Sequence, residues 1–260
     1  MNLVSSALRR AAFPLVAVLL LGIGPHARAD DGGSWWKSVA IGGVQGSGNL
    51  KSEIRAATGF QAISLATPGK LVLRQGSKEG IEIRADDNLL PLFETRVVER
   101  QGMSTLEIRS RPGTSYSART EPVFTVDFIK LGALAVSGSG DVMGDALKSP
   151  ALKVSIAGSA DVKIKSVDVD ELSIKVSGSG DIGFAGRAGT LAVAIAGSGD
   201  VDTYKLETDD VTVNISGSGS ASVNARKSLT VAIAGSGDVT YTGAANPKTS
   251  IAGIGNVKRK

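Results

Sequence analysis

Apolar residues alternate with small or polar residues along most of the chain, in runs of about six positions. In one such run, Leu191, Val193 and Ile195 are separated by Ala192 and Ala194. A two-residue period with β-branched side chains is typical of a strand that buries one face. No helical period is sustained after the N-terminal segment. The pattern therefore predicts an all-β chain.

A seven-residue core recurs from Leu131 onward, in the order aliphatic, small, Gly, Ser, Gly, Asp, aliphatic. Consecutive copies lie 18–20 residues apart, and the first glycine of each copy is Gly138, Gly158, Gly178, Gly197, Gly217, Gly235 or Gly253. A fixed period near 20 residues is typical of a solenoid, in which each turn stacks on its neighbours. Each turn would hold two or three strands. The glycines would form corners where a positive φ or a close backbone approach excludes a Cβ atom.

Stacked turns would place equivalent side chains in columns with a spacing of about 4.8 Å. Two aliphatic columns, which begin at Val136 and Val142, are expected to face the interior. Strict alternation places the polar columns of the corner toward solvent. The column that we call the serine stripe holds Ser139, Ser159, Ser179, Ser198, Ser218 and Ser236. The aspartate column holds Asp141, Asp161, Asp181, Asp200 and Asp238, with Ser220 and Asn256 in the remaining turns.

The chain before the regular repeat is also rich in strand patterns, but it has no fixed period. Residues 45–130 are predicted to form an irregular β-rich first half that caps one end of the core, and 131–257 the regular β-helix. Gly46–Leu50 resembles an early copy of the repeat. Residues 258–260 form a basic tail, which we expect to keep the far end solvated.

The N-terminus has the features of a secretory signal. Arg9 and Arg10 precede an apolar stretch, and Ala27–Ala29 matches a cleavage site, which predicts a signal peptide over residues 1–29. No later apolar run is long enough to span a membrane, so we expect no integral membrane segment after cleavage. We therefore predict export to the periplasm or cell surface of a Gram-negative bacterium. Residues 30–44 are expected to be partly ordered, with Trp35 and Trp36 either docked on the body or stacked on a sugar.

Removal of the signal changes the charge and excludes several kinds of chemistry. The full chain has 29 basic and 25 acidic residues, whereas residues 30–260 lack three of those arginines and carry a net charge of +1. The only histidine, His26, is removed and there is no cysteine. A serine–histidine triad, a histidine base and a thiolate site are therefore excluded. The near-neutral balance also argues against a nucleic-acid partner.

The remaining polar residues allow alternative interpretations. The aspartate column is a candidate calcium site, but each turn supplies only one carboxylate, whereas calcium takes several oxygen ligands. The alternative is that these carboxylates accept hydrogen bonds from the backbone of the corner. The serines are expected to form a hydroxyl ladder between turns. An enzyme acting on polysaccharides would use clustered charges between strands; the candidates are Asp168, Asp170, Glu171, Asp209, Asp210, Arg187 and Lys205. They follow no repeated geometry, so we predict no catalytic residue and no cofactor.

An ordered set of motifs resembles the bacterial head GIN domain family, which is described as a putative auto-transporter adhesin. The motifs are Gly46–Asn49, Gly59-Phe60, Arg74–Gly76, Asp87–Pro91, Leu106–Arg109 and the Gly-Ser-Gly-Asp series. The resemblance covers about residues 45–257. It implies a right-handed parallel β-helix that is exported to the envelope and has no established chemistry.

These observations together predict a non-enzymatic, exported β-solenoid that acts as a binding scaffold at the envelope or cell surface. The serine stripe and the first glycines, Gly138, Gly158, Gly178, Gly197, Gly217 and Gly235, would form a flat contact surface for a glycan or an envelope protein. A homo-oligomer is compatible with this surface. A polysaccharide-acting enzyme and a purely structural periplasmic protein remain alternatives.

Overall fold

The computed structural model describes residues 43–260, which are almost entirely strand. The predicted signal peptide, and Trp35 and Trp36 in the segment that follows it, lie outside the described residues. No helix within residues 43–260 has the length and apolar character needed to cross a membrane.

The cap is built from short strands and one short 3₁₀ helix, Leu90–Leu92. The strands in this part of the chain are β1 (Val44–Gln45), β2 (Leu50–Arg55), β3 (Ala62–Ala66), β4 (Lys70–Gln75), β5 (Gly80–Asp86), β6 (Phe93–Arg100), β7 (Met103–Ser110), β8 (Tyr116–Ser117) and β9 (Val123–Phe128).

The regular repeat is built from five long strands, β11–β15, that each run around most of one turn, and from four shorter strands at its two ends. They are β10 (Ala133–Gly138), β11 (Asp141–Gly158), β12 (Val162–Gly178), β13 (Ile182–Gly197), β14 (Val201–Gly217), β15 (Ser220–Gly235), β16 (Asp238–Thr242), β17 (Asn246–Gly253) and β18 (Asn256–Arg259). The basic residues Lys258 and Arg259 lie within β18.

Each turn has three faces, which are visible in the burial pattern of β12. Pairs of consecutive exposed residues, at 165–166 and 170–171, interrupt the alternation of buried and exposed positions. Because strict alternation cannot place two neighbours outward, each pair marks a bend of the backbone. We call the three segments face B (Val162–Ile164), face C (Val167–Val169) and face A (Leu172–Val176), and we use the same names in every turn.

The turns stack in parallel and in register. On face A, Val136 pairs with Ile156, which pairs with Val176, and the same register continues to Ile251. From Val136 to Ile233 these side chains are at most 2% exposed, whereas Ile251 in the last turn is 41% exposed. Both aliphatic columns therefore line one continuous core, and the predicted parallel β-solenoid is confirmed.

The order of strands in space differs from their order in the chain at the cap. On face A, β10 is followed outward by β3, then β7, and finally the antiparallel strand β6. On face B, β11 is followed by β4, β9, β5 and β2. The pairs β9–β5 and β5–β2 are antiparallel, whereas the others are parallel. The first turn of the solenoid is therefore formed by β3 and β4. The strands β5–β9 then close the end of the core, and β10 begins the second turn.

A degenerate copy of the repeat corner lies in this first turn. Leu65 pairs with Val136, and Lys70 and Leu71 pair with Asp141 and Val142. The segment Leu65–Leu71 therefore occupies the place of the seven-residue core, although it contains neither the first glycine nor the aspartate. The prediction that Gly46–Leu50 is the early copy was wrong, because Gly46 instead donates its N–H to Ser117 beside β8.

Aromatic residues fill the core of the cap, where the turns are irregular. Phe60, Phe124 and Phe128 are fully buried, and the ring of Phe93 meets that of Phe124 edge to face with centroids 5.1 Å apart. Phe93 also packs against Tyr116. These rings belong to the same apolar cluster as the aliphatic columns, so one core runs from the cap through the solenoid.

Face C begins one turn later than faces A and B. Leu147 pairs with Val167, but no strand of the described chain pairs with the other side of residues 146–149. The Gln75 side chain occupies this edge, where its Nε2 donates to Lys148 O (2.8 Å) and its Oε1 accepts from Lys148 N (2.7 Å). Pro150, two residues on, has no N–H to offer. The side-chain amide of Gln75 and the missing N–H of Pro150 therefore prevent a further strand from pairing with this free edge.

Candidate functional site

Each regular corner depends on its first glycine for two separate reasons. The φ angles of the first glycines lie between 96° and 140°, a range that side chains with a Cβ rarely adopt. From Gly158 onward, an added Cβ would also lie 2.0–2.3 Å from the carbonyl oxygen of the equivalent glycine one turn earlier. At Gly138, by contrast, nothing lies within 4 Å of that position. The glycine column therefore permits the close stacking of the corners.

The serine stripe runs along the outside of this corner, as alternation predicts. All six of its residues are exposed. From Ser159 onward, their backbone N–H groups donate to the first-glycine carbonyl one turn earlier, for example Ser179 N to Gly158 O at 2.9 Å. Within residues 43–260 none of the six hydroxyl groups makes a hydrogen bond to another protein group. The expected hydroxyl ladder is thus absent there, and the hydroxyls face solvent.

The aspartate column forms a ladder between turns, in which a carboxylate oxygen accepts from the backbone N–H of the equivalent residue one turn later. The bonds run from Asp161 N to Asp141 (3.3 Å), Asp181 N to Asp161 (3.2 Å), Asp200 N to Asp181 (3.0 Å), Ser220 N to Asp200 (2.8 Å) and Asn256 N to Asp238 (3.0 Å). The aspartates therefore satisfy backbone groups at the corner. In the described part of the chain, no three His, Cys, Asp or Glu side chains converge in a way that could hold a metal ion.

The charged residues that we considered for catalysis lie on face C and at the other two corners, and several form exposed ion pairs between turns. Lys148 Nζ lies 2.9 Å from Asp168, and Lys227 Nζ lies 2.9 Å from Asp209. In each pair the hydrogen bond and the opposite charge lower the pKa of the aspartate and raise that of the lysine. Such exposed pairs contribute little to stability.

Asp168 and Asp170 line an open groove of about 680 Å³ beside Lys130 and the start of face C. Of the remaining candidates, Glu171 and Asp210 are exposed at the corner before face A, where both align with Thr190 of β13. Arg187 stands between Asp168 and Glu207 in the parallel register, and Lys205 lies at the corner between faces B and C. The charges are therefore distributed over different corners, and the structure does not bring them together as one catalytic group.

The outer surface of face A is unusually uniform. From Ala62 in β3 to Ala252 in β17, its outward positions hold only Ala, Ser, Thr, Asn or Lys. The only charged residues among them are Lys153, Lys175 and Lys248. The surface spans eight strands, a length of about 34 Å at the usual spacing between strands. It adjoins the serine stripe, so the two form one surface of short side chains.

A group of four arginines and two glutamates closes the cap end of this surface, and the sequence analysis did not identify it. Glu107 is only 4% exposed; one carboxylate oxygen accepts from Arg96 Nε at 2.8 Å and the other from Arg100. Burial raises the pKa of Glu107, but the hydrogen bonds and charges of both arginines outweigh it, so the pKa is lowered. A second carboxylate, that of Glu94, accepts hydrogen bonds from Arg109 and lies 3.8 Å from Arg111 Nε.

The turn of the β6–β7 hairpin stands above the end of face A and encloses a groove of about 350 Å³. Arg100, Gln101 and Met103 form its wall, and Ala62, Ala133 and Ala135 contribute to its floor. Gln101 has a φ of 51°, and Gly102 follows with 76°, which gives the tight turn that a two-residue hairpin connection requires. The groove is a consequence of the antiparallel cap, which no repeat pattern indicates.

Comparison with known proteins gives a family and a fold. The family model described as putative auto-transporter adhesin, head GIN domain, matches residues 59–245, which is more than half of the chain. A solved putative adhesin from Bacteroides fragilis is 24% identical, with a TM-score of 0.79 over 84% of this chain and 100% of its own. A putative lipid binding protein from Parabacteroides distasonis is 23% identical, with a TM-score of 0.69 over 84% of this chain and 99% of its own. The comparison with curated proteins gives no match. At these identities the solved structures establish the fold alone.

Proposed function

Because the chain belongs to the family described as putative auto-transporter adhesin, head GIN domain, we propose that it is an exported, non-enzymatic binding scaffold at the cell envelope or surface. The observation that carries the proposal is the continuous surface formed by the serine stripe and the outer surface of face A. It presents short side chains over eight stacked strands, and the unpaired hydroxyl groups of the serine stripe in six consecutive turns. Its ligand is a surface glycan or an envelope protein.

The exposed serines support this role because their side chains are free to bind. The corner is held together by glycine carbonyls, backbone N–H groups and aspartate carboxylates, and none of these contacts uses a serine hydroxyl. A hydroxyl group both donates and accepts hydrogen bonds, and a row of them matches the hydroxyl groups of a sugar or the polar groups of a protein surface. The flat relief allows an extended partner to contact several turns at once.

The test is capture of glycans and proteins from an envelope extract by the immobilised chain, residues 30–260. The double substitution Ser179→Lys with Ser198→Lys places two long charged side chains on adjacent turns of the stripe, and we expect it to reduce capture. The matched control is Ala146→Lys with Ser166→Lys, which changes two exposed, paired positions at the corner between faces B and C. Equal capture by the two double variants, with both folded by circular dichroism, would contradict the proposal.

A further inference from the structure

We infer that the outer surface of face A binds an acidic polysaccharide, and that one sugar carboxylate lies in the groove beside Arg100. This inference rests on the proposed function and specifies the class of ligand. The partner is a linear polymer of sugar units that carry carboxylate groups, of which polygalacturonate is a simple example.

The distribution of charge favours an anionic partner. The outward positions of face A from β3 to β17 include no acidic residue, and Lys153 and Lys175 form no ion pair within residues 43–260. At the cap end, Glu107 and Glu94 are each neutralised by two arginines, so the four arginines exceed the two carboxylates. The outward positions of face A therefore carry only positive charges, although residues 30–260 are nearly neutral.

The geometry of the groove fits a sugar ring with a carboxylate. Ala133 and Ala135 point outward but are only partly exposed, because the β6–β7 hairpin overhangs them. Their methyl groups offer a flat apolar floor against which a ring can pack. Arg100 lies at one side with its side chain 59% exposed, and Lys153 lies one turn beyond Ala133 in the register. A carboxylate in the groove would therefore have a cation on either side.

The same surface is poorly suited to other anionic partners. It presents no aromatic side chain on which a nucleic-acid base could stack. Nor does it present a large apolar side chain that would enter a lipid bilayer. Short side chains in a flat array instead leave room for a polymer whose sugar units have a length similar to the spacing between turns. Lys175 stands diagonally across from Lys153 and would meet a later sugar of the same polymer.

The experiment measures the affinity of residues 30–260 for polygalacturonate by titration calorimetry at low and moderate salt, with neutral dextran as the comparison polymer. We expect binding to polygalacturonate alone and weaker binding at higher salt. The double substitution Lys153→Gln with Lys175→Gln should weaken binding about three- to tenfold. Its control, Lys205→Gln with Lys258→Gln, removes the same charge from face B and from its corner with face C, and should leave the affinity unchanged.

A second pair of variants tests the groove without removing a lysine. Ala133→Glu should weaken binding strongly because it adds a carboxylate to the floor, whereas Ala133→Gln, of nearly equal size, should weaken it less. Any of three results would overturn the inference. They are the absence of polygalacturonate binding, equal effects of the two lysine double variants, and tighter binding to phosphatidylglycerol vesicles, an oligodeoxynucleotide or an acidic protein. If envelope capture still depended on Ser179 and Ser198 in that case, the proposed function would stand with a different ligand.

Discussion

Replacing Gly178 by alanine should destabilise the solenoid far more than replacing Gly138, although the two glycines occupy the same corner position in different turns. Gly178 has a φ of 129° and Gly138 a φ of 96°, so both substitutions strain the backbone. Only at Gly178 does the added Cβ meet the turn below, 2.2 Å from Gly158 O. Gly138 therefore serves as a control for the strain alone.

The cost at Gly178 follows from this distance. Cβ atoms essentially never lie closer than 3.0 Å to another heavy atom, so the two turns must separate by the difference, about 0.8 Å. The neighbouring bond from Ser179 N to Gly158 O would lengthen from 2.9 Å to about 3.7 Å and would no longer be a hydrogen bond. One or two lost bonds at about 1 kcal/mol each, added to about 1–2 kcal/mol of strain, give about 2–4 kcal/mol. Strain alone at Gly138 gives about 1–2 kcal/mol.

The assay is thermal and urea unfolding of residues 30–260, followed by far-UV circular dichroism. In a protein of this size about 2–4 kcal/mol corresponds to a Tm lowered by about 4–16 °C, and the Gly138 variant should lose about 2–8 °C. Since stacked turns can open locally, amide hydrogen exchange should also show the loss concentrated in the turns that flank Gly178. Equal destabilisation by the two substitutions would refute the argument that close stacking, rather than φ alone, requires these glycines.

Three further predictions concern other contacts. The aspartate ladder is interrupted at Ser220, and Ser220→Asn would supply a longer side chain that can accept from the backbone N–H of Asp238. It should raise the free energy of unfolding by about 0.5 kcal/mol in urea titrations, and unchanged stability would contradict this. Glu107 has a lowered pKa in the folded state, so its stabilising effect is complete above the unfolded pKa and is lost as pH falls through the folded value. Glu107→Gln should therefore cost about 1–3 kcal/mol at neutral pH and reduce the acid dependence of Tm, whereas an unaltered pH profile would exclude this role. Gln75→Ala should expose the edge at Lys148 and promote self-association in size-exclusion chromatography, and a monomer as stable as the parent chain would show that the edge needs no such protection.

Much of the fold can be predicted from the repeat alone, because each position in the Gly-Ser-Gly-Asp corner has a local physical reason. The aliphatic columns beginning at Val136 and Val142 follow from alternation, and the structure confirms both as core. The exposure of the serine stripe follows from the same alternation. Its role in binding stays a prediction, which the Ser179 and Ser198 variants address.

The sequence by itself determined the period, the inward columns and the place of the glycine corners. These features depend on neighbours within a few residues and on the stacking of equivalent residues in successive turns. Only the tertiary structure decided the order of strands in the cap, where Leu65–Leu71 takes the first corner without its glycine or aspartate. It also decided the purpose of Asp181, whose carboxylate binds the N–H of the next turn, and the sharing of Glu107 between two arginines. These contacts depend on strand pairing that no local pattern specifies: parallel stacking of successive turns for Asp181, and the antiparallel β6–β7 pair for Glu107.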